Sequence, residues 1–277
     1  SSPAAWSTGG AMSVSRDMLG GTGTADAALA FGGGSGYTCT EEYNGSSWST
    51  QNALSTGRYK LSGAGTQNAA LAFGGAGGSQ FENCTEEYNG TSWTAVSTMG
   101  VGVMGGGGTG TQTAALAFGG CTSVTNTEEY NGAVWSAGGA LTNGTDLPGA
   151  AGTQTAGLSF GGYDGAADIA CTEEYNGAAW SSGGSLNQSR RGLAGAGTQN
   201  AALAFGGYST TGTCTEEYDG TTWSASTALP NSRRTLAGAG TQADALAFGG
   251  SGTGAINALN YIGAVAGSLI KTFDYSE

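Results

Sequence analysis

The ten residues TQNAALAFGG at 66–75 return unchanged at 198–207; close variants stand at 111–120, 153–162 and 241–250, and a worn copy runs from Thr24 to Gly33. Self-similarity at a fixed period marks units that stack on their neighbours, so the chain must build a repeating architecture. The Phe of each FGG stands at 31, 73, 118, 160, 205 and 248, and Trp stands at 6, 48, 93, 135, 180 and 223. Each Trp is followed by the next Phe after 25 residues, whereas the distance from Phe to the Tyr of TEEY varies between 12 and 15. All insertion and deletion therefore falls in one connection, after GG and before TEEY. Loops tolerate length change and packed elements do not.

Each period reads as four short strands, seen for one copy in LSGAGTQ (61–67), AALAFGG (69–75), CTEEY (84–88) and SWTAVS (92–97). Side chains alternate along a strand, so Leu71 and Phe73 share one face while Ala70 and Ala72 share the other. Bulky face against small face lets consecutive sheets nest. Asn89-Gly90 between the last two strands is a hairpin signal, expected as a type I′ turn with both central residues at positive φ. No segment carries a helical period. The spacing predicts an all-β chain: a single six-bladed β-propeller with four-stranded antiparallel blades. The opening AAWSTGGAM matches AAWSSGGSL at 178–186, so the chain starts at a fourth strand. The Trp6 strand is expected to close blade six, giving a propeller over 1–266 and a tail or joint at 267–277. The rival is the tail itself, SLIKTFDYSE (268–277), taking that outer place.

Composition excludes several functions. Lys+Arg 8 against Asp+Glu 20 gives a net charge of −12, which argues against a nucleic-acid groove. The chain has no His, the usual general base and metal ligand. No apolar run approaches membrane-spanning length, so no membrane insertion is expected, and no secretory leader is seen. The start SSPAAW lacks an initiator Met, which suits a processed chain or a piece of a longer one. Four of the five Cys (39, 84, 171 and 214) precede TEEY at one repeat position, and the fifth is Cys121. Equivalent positions in neighbouring repeats sit too far apart to bridge, so free thiols acting as small buried side chains are expected, as suits assembly in a reducing host cytoplasm.

The Gly-Gly after an apolar strand, the following Tyr and Trp, and the Arg before each first strand resemble kelch repeats over almost the whole chain. That resemblance implies a propeller whose ligand face is built from the loop between strands two and three and the loop between blades. The Glu pair before Tyr departs from it, since kelch units usually place an apolar residue there. The wording GAGTQxAALAFGG…TEEYNGxxW is also similar to repeats in predicted virion proteins of marine bacteriophages, including cyanophage-type tail fibres. This likeness implies a virion-associated structural or receptor-binding protein. Its expected partners are a host surface glycan or protein and other virion subunits. A kelch-type protein-interaction scaffold is the other reading.

In an antiparallel meander the variable loop and the approach to each first strand emerge on one face. That approach holds Arg16, Arg58, Arg190 and Arg233 at one repeat position, with Lys60, Arg191 and Arg234 beside it. Repeats three and four carry Val103 and Thr145 there instead. Either these cations form a basic rim for ligand, or each Arg pairs with a Glu of TEEY as a structural bridge. The variable loops add Tyr37, Phe81, Tyr163 and Tyr208 among small polar residues. Aromatic rings in such company suit stacking and adaptable hydrogen bonding. A catalytic carboxylate pair is ordinarily unique, whereas EE recurs in five repeats. No catalysis and no cofactor are expected, and Asp164 and Asp168 are only weak metal candidates.

Overall fold

The computed structural model describes residues 2–78, 80–122, 124–210 and 212–264. The tail or joint expected at 267–277 lies outside the described residues. Six four-stranded antiparallel sheets follow one another around a ring, spanning 20–51, 62–95, 107–137, 149–182 and 194–225, with the sixth combining 237–262 and the N-terminal strand. In the second blade the order from axis to rim is Ser62–Thr66, Ala69–Phe73, Thr85–Tyr88 and Trp93–Ala95. The protein is a six-bladed β-propeller, with the inner strands of the sixth and first blades packed together. In blade six the strand Ala5–Ala11 pairs antiparallel with Asn257–Ile262, setting Trp6 opposite Tyr261. The outer place is thus held by the other end of the chain.

The alternation of bulky and small residues packs the blades. Leu71 and Phe73 of blade two cluster with Ala115 and Ala117 of blade three, and Leu246 and Phe248 of blade six with Ala28 and Ala30 of blade one. The Asn-Gly connections differ from the type I′ expectation. Asn89 to Ser92 form a four-residue turn closed by Asn89 N–H donating to Ser92 O, and of Asn89 and Gly90 only the glycine, at φ +86°, is left-handed. Asn89 acts through its side chain, whose Oδ1 accepts from the N–H groups of Thr91 and Ser92. That Asx geometry needs no positive φ at the asparagine.

Repeated side-chain bonds latch each of blades two to six to the one before it. Gln67 of blade two donates to the carbonyls of Ala28 and Tyr43 in blade one. Tyr88 donates to Glu42, and Trp93 Nε1 to Thr40 Oγ1. The second Glu of TEEY thus serves the neighbouring blade. Burial and this donation push the Tyr130, Tyr175, Tyr218 and Tyr261 hydroxyls up to about 12, so they remain donors at neutral pH.

On the variable-loop face, six N–H to O=C bonds run head to tail around the axis: Lys60 to Met18, Gly105 to Lys60, Leu147 to Gly105, Gly192 to Leu147, Thr235 to Gly192 and Met18 to Thr235. All six donors are left-handed, including Met18, Lys60, Leu147 and Thr235 at φ 51–54°. This conformation costs a non-glycine residue about 1 kcal/mol. Blades three and five avoid it with Gly105 and Gly192. Met18→Gly is therefore expected to stabilise by about 1 kcal/mol. Gly105→Ala is expected to destabilise by more, because its Cβ would also crowd Asp146 Oδ1. Chemical denaturation of the two variants checks the opposite signs.

Candidate functional site

The expected basic rim is not where the sequence reading put it. Arg16, Arg58, Arg190 and Arg233 are between 0% and 3% exposed, so none is available to a ligand at the surface. Arg16, Arg58 and Arg190 form buried ion pairs with Glu41, Glu86 and Glu216, the first Glu of TEEY in their own blades. The structural bridge is the arrangement found. Each of these Glu also accepts the N–H of the inter-blade loop, at Ser13, Ser55 or Asn187. In blades three and four, where Arg is missing, the spare oxygen takes a second loop N–H: Glu128 holds Gly100 and Val101, and Glu173 holds Thr142 and Asn143. Blade six has the reverse problem. Leu259 stands at the Glu position, Pro230 brings no N–H, and Arg233 donates to Gly254 O at 2.7 Å. Burial pushes the Arg233 guanidinium down to about 10, still charged at neutral pH.

The remaining cations converge. Lys60, Arg191 and Arg234 are the Lys and Arg side chains that reach solvent among the described residues, and all stand around the axial mouth on the variable-loop face. The mouth is a space of ≈ 100 Å³ walled by Met18, Lys60, Leu147 and Thr235 with the leucines behind them. The residue after each approach position is held against the start of its variable loop, by bridges between Asp146 and Tyr163, Arg191 and Tyr208, and Arg234 and Ser251. Loop and approach therefore share a face, as chain parity requires.

This pairing builds a ladder across three blades. The Arg191 guanidinium lies 4.6 Å from the Tyr163 ring centre and 5.2 Å from that of Tyr208, and Arg234 lies 4.7 Å from the Tyr208 ring centre. Such contacts contribute about 0.5–1 kcal/mol each where exposed and fix the planes of the groups. Asp168 pairs with Arg191 at 3.2 Å. Asp146 sits at the same edge with a buried Oδ1 that finds no hydrogen-bond partner among the described residues. Burial raises its carboxyl, opposed by Lys60 and Arg191.

Tyr37 and Phe81 stand apart from the ladder, on blades one and two, 42% and 48% exposed. Phe81 belongs to a small hairpin pairing Ala76–Gly77 with Gln80–Phe81. Asp164 and Asp168 do not converge on a cation. Asp164 Oδ1 accepts from the Ala166 and Ala167 N–H groups, and Asp168 is engaged with Arg191. Among the described residues no three metal-ligating side chains cluster. The cysteines form no disulfide among the described residues and are half-buried, with Cys171 exposed; the carbonyls of Cys39, Cys84, Cys171 and Cys214 accept from the first Gly of each FGG at the strand junction.

No protein-family model matches the chain, and no curated protein matches it. Among solved structures it is similar to the one titled "Structure of YjhT", with a TM-score of 0.75 over 91% of this chain and 95% of that chain, at 14% identity. The ring is kelch-like. At that identity the likeness carries the fold alone. Two residues of the kelch-like mouth escaped the sequence reading, Asp17 and Asp146. Their signal was available, since both occupy the repeat position of Arg191 and Arg234.

Proposed function

We propose that the protein is a non-enzymatic, virion-associated binding module that recognises a host surface glycan or protein through its variable-loop face. The observation that carries this reading is the Tyr163–Arg191–Tyr208–Arg234 ladder at the edge of the axial mouth. Flat rings and planar donors held in place lose little freedom on binding, which is what a recognition surface needs. The virion association rests on the wording of the repeats.

A glycan-array screen of the purified protein, followed by calorimetry on any hit, tests the reading. An Arg191→Ala, Arg234→Ala double variant is expected to stay folded, because both side chains reach solvent, and to lose roughly 10- to 100-fold in affinity. Binding unchanged in that variant moves the site to Tyr37 and Phe81. No binding to any glycan shifts the ligand to a protein, sought among the surface proteins of the host.

A further inference from the structure

The latch bonds described above recur at five junctions and fail at the sixth. Gln112, Gln154, Gln199 and Gln242 repeat the double donation of Gln67 to the preceding blade. Tyr130, Tyr175, Tyr218 and Tyr261 repeat the bond of Tyr88 to the preceding Glu. Trp135, Trp180, Trp223 and Trp6 repeat the bond of Trp93 to the preceding Thr. Between blade six and blade one all three are gone. Ala25 replaces the Gln, Asn260 the Glu and Ala258 the Thr. Tyr43 Oη and Trp48 Nε1, the donors that remain, are buried and find no hydrogen-bond partner among the described residues.

Besides the chain itself at 12–19, these two blades keep apolar packing, with Trp48 5.1 Å from Phe248, backbone bonds from Met18 N–H to Thr235 O and from Gly250 N–H to Arg16 O, and a donation from Thr235 Oγ1 to Asp17 Oδ2 at 3.5 Å. Blade six is meanwhile latched to blade five by both ends of the chain, through Trp6 and through Tyr261 and Gln242. A ring with five latched junctions and one unlatched junction has its lowest-energy opening at the unlatched one. We infer that the propeller opens locally between blade six and blade one while the other five junctions stay shut. The line of opening runs between Arg234 and Asp17 and splits the axial mouth.

The six-membered backbone ring supplies one equivalent amide per junction, with Met18 reporting this one. Hydrogen exchange by NMR on the whole chain, corrected for intrinsic rates, compares Met18 with Lys60, Gly105, Leu147, Gly192 and Thr235. Four hydrogen bonds are missing, so Met18 is expected to be less protected on the order of 100-fold. Restoring the latch with Ala25→Gln, Ala258→Thr and Asn260→Glu should bring Met18 level with the others. Gly9 lies beside Tyr43 Oη as Gly138 lies beside Tyr175 Oη, so the carboxylate has room. The converse variant, Gln154→Ala, Thr127→Ala and Glu129→Asn, should make Leu147 the fast amide. Equal protection at all six positions in the native protein overturns the inference. So does a fast Met18 amide in the folded restored variant. If that variant does not fold, the converse variant decides: a Leu147 amide still slow beside its neighbours counts against the inference.

Discussion

Deleting residues 2–11 is expected to abolish the cooperative thermal transition of the protein. The strand contributes the outer ladder of blade six. It also contributes Trp6, whose ring packs on Phe205 at 5.3 Å and Tyr261 at 4.9 Å and whose Nε1 donates to Thr227 O at 2.9 Å. Replacing a packed Trp by Ala alone costs about 3 kcal/mol or more. Losing the whole strand exposes the edge of Asn257–Ile262 as well. Against a net stability of about 5–15 kcal/mol, that leaves little or nothing. Circular dichroism melts and size-exclusion chromatography follow the outcome, and a synthetic peptide of residues 2–11 added in trans should restore the transition. A deletion variant that melts as sharply and as high as the full chain refutes closure by this strand.

Glu86→Ala is expected to cost about 3–5 kcal/mol, and Arg58→Val about 1–2 kcal/mol, although they break the same ion pair. The asymmetry follows from what each partner leaves behind. Removing Glu86 strands a fully buried guanidinium and frees the Ser55 N–H and hydroxyl that the carboxylate also accepts. Removing Arg58 leaves Glu86 with the Ser55 bonds, and blade three shows the result, where Val103 stands at the Arg position and Glu128 gathers two loop N–H groups. Urea titrations of both variants give the comparison. An Arg58→Val variant less stable than Glu86→Ala means that the arginine, through its bonds to Gly74 O and Cys84 O, is the true anchor.

The blades were legible because packing writes itself into spacing. Each Trp reaches the aromatic ring of the preceding blade, as Trp93 does Phe31, and no residue can be inserted between blades without moving that contact. The face of each loop was legible too, from strand parity. Depth was not. Arg190 and Arg191 are neighbours in the chain, yet one is sealed inside the blade and the other stacks between two tyrosines. Parity tells which end of a strand a residue occupies and says nothing of whether its side chain turns inward. The two Glu of TEEY are adjacent on a strand, so they point to opposite faces, and they are so used. Their partners, a loop in one direction and the next blade's Tyr in the other, depend on contacts between blades that no local pattern encodes. The asparagine turns were misjudged for a related reason: Asn44 and Asn89 cap backbone donors with a side chain, which composition cannot separate from a left-handed backbone.

The bond from the Tyr of one blade to the Glu of the blade before it has a direction. Blades one to five carry a plug on one flank and a socket on the other, and blade six keeps the plug alone. Such a head-to-tail coupling is indifferent to how many links are joined. Nothing in it counts to six: the number is set by the angle at which one twisted sheet nests on the next. A unit duplicated between two coupled neighbours would find every connector in place, so the size of the ring is open to change by copying a single period of the chain.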